Sequence, residues 1–160
     1  MPGTPLIIID VQEYYSPYST QPELIKAIVK HVKLAKKANA PIVCVEYYGE
    51  GKTVSNILKE FPDAHRVVKH QCDGSNEIWR CLKRDYEIYP PATLKLCGIF
   101  TQDCVAKTAD GLTKIGFKIK IIEEACSSSK VGHQYQVDNW LQTKKVKVIY
   151  PSSPTRKFLY

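Results

Sequence analysis

Nothing in the chain approaches the roughly 18 to 20 consecutive apolar residues needed to cross a bilayer; its apolar runs are of the size of Leu6-Ile7-Ile8-Ile9. The N-terminus also lacks the basic region and following apolar stretch of a signal peptide, so a soluble, cytoplasmic protein with no membrane partner is expected. Six cysteines, at positions 44, 72, 81, 97, 104 and 126, include no C-x-x-C pair. That excludes a recognisable zinc ribbon or disulfide scaffold, and most of these thiols fall in apolar segments, where they behave as small hydrophobes. The four histidines are scattered. A metal site would require His and Asp brought together from distant positions, so no metal and no cofactor are expected. Internal repeats, low-complexity segments and a domain boundary are absent as well, which leaves one domain over residues 1–150 and a Pro- and Ser-containing tail over 151–160.

What is present is a core-forming composition: 160 residues, 44% of them hydrophobic, enough for one well-buried domain. The net charge of +7 raises the question of nucleic acid. The lysines are spread along the chain, however, and Lys26, Lys30, Lys33, Lys36 and Lys37 fit the solvated side of one amphipathic helix. The reading is therefore no nucleic-acid partner, with the charge available to steer small anionic substrates.

Apolar runs alternate with segments of helical period, the pattern of β-α units with a parallel sheet covered on both faces. Strands are predicted near 5–10, 41–47, 65–69, 94–100, 118–123 and 145–150. Helices are predicted at 22–38 with Pro22 in the first turn, from Asp103 or Cys104 to Gly116, and at 131–142, with shorter ones at 54–59 and 75–83. The inward stripe of the first is Leu24, Ile25, Ile28, Val29, Val32 and Ala35, and that of the last is Val137, Trp140 and Leu141. The expected fold class is α/β, a three-layer αβα Rossmann-like fold with a six-stranded parallel sheet in the order 3-2-1-4-5-6.

In such a sheet, ligands bind beyond the carboxyl ends of the strands, where strand order reverses. Asp10, Lys69 and Cys104 fall at the ends of the first, third and fourth predicted strands. Cys104 also opens a helix, where unpaired N–H groups and the helix dipole favour a thiolate. A carboxylate, an ammonium and a thiol at one edge make an acid, a base and a nucleophile.

Three blocks, Leu6-Ile7-Ile8-Ile9-Asp10-Val11-Gln12, Val67-Val68-Lys69 and Gly98-Ile99-Phe100-Thr101-Gln102-Asp103-Cys104-Val105, resemble in order and spacing the signature of the isochorismatase-like cysteine hydrolase superfamily. The resemblance runs on through Gly116-Phe117 and Glu124-Ala125-Cys126. It implies a triad of Asp10, Lys69 and Cys104, a non-proline cis peptide at Ile99-Phe100, and an oxyanion hole from the backbone N–H groups of Phe100 and Cys104. It further implies a homo-oligomer, a dimer or tetramer, and a small-molecule substrate. Two departures bear on the substrate. The nicotinamidase branch binds a metal through an aspartate and histidines after its second strand, whereas residues 46–53 here contain neither residue type. The isochorismatase branch proper often lacks the cysteine, so Cys104 points to acyl transfer, the cleavage of a C–N bond in an amide or ureido compound.

Around this core, Tyr14, Tyr15 and Tyr18 form either an aromatic wall of the site or a subunit contact. Asp73 and Ser75, in His70-Gln71-Cys72-Asp73-Gly74-Ser75, either touch substrate or form a turn with a helix cap. His133 offers a Cys-His pairing as an alternative to the triad. The competing class is a non-catalytic binding or interaction protein of the same fold.

Overall fold

A computed structural model describes residues 2–151, so the predicted tail lies, beyond Pro151, outside the described residues. The elements run β1 (Leu6–Ile9), α1 (Pro22–Lys37), β2 (Ile42–Tyr47), α2 (Ser55–Leu58), β3 (His65–Lys69), α3 (Ser75–Tyr86), β4 (Thr93–Ile99), α4 (Ala106–Ile115), β5 (Lys118–Ser127), α5 (Lys130–Thr143) and β6 (Lys147–Ile149). All six strands pair in parallel in the order β3-β2-β1-β4-β5-β6. Leu6, Ile7, Ile8 and Ile9 are all buried although they point alternately to opposite faces, so helices cover the central sheet on both sides. Each such side chain contributes about 1.5–3 kcal/mol through burial. β3 is an edge strand, and Arg66 and Val68 are correspondingly exposed.

Three elements depart from expectation. β5 continues past residue 123 to Ser127, because the charges of Glu123 and Glu124 that broke the apolar run are met by His133 and by Lys30 and His31. The predicted nucleophile helix opens with a π-helical turn, Thr101–Val105, before α4 begins. In α5 the inward stripe is His133, Val137 and Trp140, and Leu141 is 49% exposed. A polar residue at i−4 from Val137, paired within the core, took the place that apolar periodicity assigned to leucine. Gly116, at φ 116°, ends α4 as expected.

Gly98 fixes how closely the two central strands approach. Its φ is 129°, and a Cβ there would run into the backbone carbonyl oxygen of Ile9 and lie 2.7 Å from the Ile9 nitrogen. Gly98→Ala combines left-handed strain with overpacking and is expected to destabilise the fold by about 3 kcal/mol, measurable by urea unfolding.

Candidate active site

β1 ends where the chain leaves the sheet at Asp10, which adopts φ 56° and donates its N–H to the Val45 carbonyl at 2.9 Å. Ile9 is in register with both Val45 and Gly98, so Asp10 lies level with the ends of β2 and β4. Lys69 ends β3, two strands away, about 9–10 Å at the usual inter-strand spacing. A side chain as long as lysine is what crosses that distance. Its Nζ lies 2.9 Å from Asp10 Oδ2, donates to the Cys72 carbonyl at 2.6 Å and sits 5.2 Å from the centre of the Tyr47 ring. Both ion-pair partners are fully buried, Lys69 at 0% exposure. A lysine read from sequence alone as a strand end is thus held from three sides.

The third member arrives from the switch point. After Gly98 the Ile99–Phe100 peptide is cis, and the Phe100 carbonyl accepts from Asp103 N at 3.1 Å and Val105 N at 3.2 Å. The turn wound on that carbonyl carries Cys104 into the core, where the Asp10 charge acts on its thiol. Burial and the neighbouring Asp10 charge push the Cys104 thiol well above the ordinary range, with Lys69 opposing. Burial and the neighbouring carboxylate thus oppose the thiolate that the helix end favours, which leaves the thiol in need of a base. Burial likewise raises the Asp10 carboxyl from its ordinary 3.8, against the pull of the Lys69 charge. The resting pair therefore has a protonated thiol next to a carboxylate made more basic than usual.

Phe100 is clasped between aromatic edges, with Tyr15 at 5.6 Å and Tyr18 at 5.1 Å between ring centres. The Tyr15 hydroxyl is raised by burial and by the charges of Asp10, Glu50 and Cys104, which puts it in the field of the site. Tyr14 instead is 71% exposed and touches the Tyr15 ring from outside. Asp73 and Ser75 are occupied elsewhere: Asp73 Oδ1 accepts from Ser75 N at 2.8 Å at the start of α3, and both side chains press on Gly111 of α4. The turn half of the sequence reading describes these contacts, while the N-cap of α3 is Gly74, with no side-chain cap hydrogen bond. The loop still matters to the site, because Cys72 supplies the carbonyl for Lys69 and Gly74 packs on the lysine stem, where an added Cβ would be 3.1 Å from Cδ.

His133 does not pair with Cys104. Its Nδ1 is 2.8 Å from Thr101 Oγ1 and its Nε2 is 2.9 Å from Glu123 Oε1, so a buried Glu-His-Thr chain anchors the first residue of the nucleophile turn. Gln12 plays the same part for the opposite wall. Its amide donates to the Tyr47 and Gly51 carbonyls at 3.0 and 2.8 Å and accepts from Tyr47 N at 2.7 Å, tying the 48–53 loop to the end of β1. Neither network was foreseen. The available signals were a polar residue two positions after Asp10 and a histidine on an inward helical stripe.

Residues 4–149 match the family model described as the isochorismatase domain. A secreted isochorismatase effector of Phytophthora sojae is 32% identical over 129 residues, covering 78% of this chain and 61% of that protein. The chain spans about three fifths of the length of the first curated relatives it matches. Among solved structures, the MAR1 ribonuclease of Caenorhabditis elegans superposes with a TM-score of 0.78 at 21% identity, covering 94% of this chain and 78% of that one. A nicotinamidase of Staphylococcus aureus gives 0.73 at 19% identity, covering 92% and 98%. At these identities the structural likenesses show the fold.

Proposed function

The chain belongs to the isochorismatase domain family, whose members are hydrolases, and we propose that it is a cysteine hydrolase cleaving the C–N bond of a small amide or ureido compound. The observation that carries this reading is the buried cluster of Asp10, Lys69 and Cys104 at the carboxyl edge of the sheet. As the substrate carbonyl approaches, Asp10 takes the thiol proton and Cys104 Sγ bonds to the carbon. The backbone N–H groups of Phe100 and Cys104 receive the oxyanion. Collapse breaks the C–N bond, and the proton on Asp10 passes to the departing amine. Water, deprotonated by Asp10, then attacks the thioester and frees the acid and the thiol. Lys69 holds the carboxylate in place and compensates its charge throughout.

This chemistry uses no metal in our reading. The residues at and after the end of β2, where the nicotinamidase branch resembling this chain holds one, do not fit: residues 46–53 offer neither His nor Asp, and Glu46, near the end of β2, is already engaged, its Oε2 accepting from Thr53 N at 2.7 Å and Oγ1 at 2.8 Å and its Oε1 facing Arg66 at 3.9 Å. Tyr15 and Tyr18, packed on the Phe100 ring, are the aromatic wall in this proposal, and the positive net charge favours anionic substrates. Six free cysteines, five of them buried, suit a reducing compartment such as the cytoplasm. No helix among the described residues is long and apolar enough to cross a membrane. A homo-oligomer is part of the same proposal, to be read from light scattering.

The test is a panel of carboxamides and ureido compounds, with rapid acid quench and peptide mass spectrometry. An acyl adduct is expected on Cys104, absent from Cys104→Ala together with turnover. Turnover that survives in Cys104→Ala, or an adduct on another cysteine, would overturn the assignment.

A further inference from the structure

Sequence spacing gave no metal site, yet the fold gathers three metal-ligating side chains at the other end of β3. His65 opens that strand, and Cys81 and Asp85, four residues apart, share one face of α3. One ligand atom from each, an imidazole nitrogen, the thiol sulfur and a carboxylate oxygen, lies within 4.8 Å of the others. His65 Nε2 is 3.2 Å from Asp85 Oδ2. Tetrahedral Zn²⁺ with bonds of about 2.0–2.3 Å holds its ligands about 3.3–3.8 Å apart, so the cluster closes on an ion by side-chain rotations of up to about 1.5 Å. Cys81 is buried while His65 and Asp85 are partly exposed, leaving one open side for entry and for a water.

We propose that His65, Cys81 and Asp85 form a binding site for a zinc-class divalent cation that fastens the edge strand β3 to α3. The donor set selects the ion: one sulfur, one nitrogen and one oxygen suit Zn²⁺ or Co²⁺, whereas Mg²⁺ and Ca²⁺ take oxygen ligands. Charge also balances, since a thiolate and a carboxylate neutralise the dication. On binding, the Cys81 S–H bond breaks, a metal–sulfur bond forms and the proton goes to solvent. Arg84 supplies an outer partner, its Nε 2.7 Å from Asp85 Oδ1 and its Nη2 2.7 Å from Oδ2, so the ion takes Oδ2 by sharing it with the guanidinium or displacing Nη2 from it. Tyr86 bounds the imidazole from the side, 5.9 Å between ring centres. The site is independent of the proposed hydrolase centre, since Lys69 ends the same strand four residues on, about 13 Å away.

Co²⁺ is the direct probe, because thiolate coordination produces a near-ultraviolet charge-transfer band. Reduced, chelator-stripped full-length protein titrated with Co²⁺ is expected to give a saturable band that Zn²⁺ abolishes. Cys81→Ser removes the band, His65→Ala and Asp85→Asn each weaken binding at least about tenfold, and Cys104→Ala leaves it unchanged. Zn²⁺ also raises the melting temperature of the wild type and not of His65→Ala. If Cys81→Ser does not fold, as judged by circular dichroism, the two surface variants decide. A wild type without a band, a band that survives Cys81→Ser, or one lost in Cys104→Ala would overturn the proposal.

Discussion

Asp10→Asn is expected to lower turnover by about 10³-fold or more while leaving the shape of the site intact. General bases are worth about 10² to 10⁴-fold on their own, and residues that act as one unit with a nucleophile cost more. Here the burden on the base is heavy, because burial and the carboxylate keep the Cys104 thiol protonated at rest. The thiol must therefore lose its proton during attack, and Asp10, buried and more basic than an ordinary carboxylate, is the group beside it. The amide of asparagine keeps the volume and cannot accept that proton. Initial rates with any substrate found by the panel, compared at matched folded concentration, check the prediction. A loss below tenfold would show that the proton goes elsewhere.

Lys69→Met should destabilise the protein by about 3–5 kcal/mol, because it leaves the Asp10 carboxylate buried without its counter-charge. For a domain of this size that is a drop in melting temperature of roughly 6–20 °C. The deficit has a defined pH dependence. The folded Asp10 carboxyl lies above 3.8, so the folded state holds its proton more tightly than the unfolded chain, and the stability this confers is lost as pH rises through the folded value. Lys69 pulls that value down. Removing it raises the folded value further and deepens the loss, so the variant should fall furthest behind wild type near pH 8 and recover toward pH 5. Urea unfolding at the two pH values reads this directly. An equal deficit at both would mean that packing of the lysine stem, rather than its charge, is what the substitution removes.

The layout of the domain was legible because its determinants are local. Leu6 to Ile9, residues 42–47 and residues 94–99 announce buried strands by apolar runs, and the helices between them fix a parallel sheet. The three strand ends that carry Asp10, Lys69 and Cys104 follow from that sheet. What sequence could not carry was the balance of opposed fields at one atom. The helix end at Cys104 argues for a thiolate, and burial together with the Asp10 charge, both set by the fold, argues against it. The same limit hid the partners of buried polar groups. Glu123 and Glu124 read as the end of β5 until His133, Lys30 and His31 are seen to meet them. Likewise His65, Cys81 and Asp85, up to twenty positions apart, become neighbours only once α3 folds back on the start of β3.

The most direct test of the cluster as a working unit is the pH profile of iodoacetamide alkylation at Cys104, followed by peptide mass spectrometry in wild type, Asp10→Asn and Lys69→Met. The wild-type inflection should lie above the ordinary thiol value of about 8.5, because burial and Asp10 oppose the thiolate. Asp10→Asn should move it down and Lys69→Met should move it up, two shifts of opposite sign from the two halves of one ion pair. A profile that neither substitution moves, or two shifts of the same sign, would contradict the coupling of Asp10, Lys69 and Cys104 on which the proposed hydrolase rests.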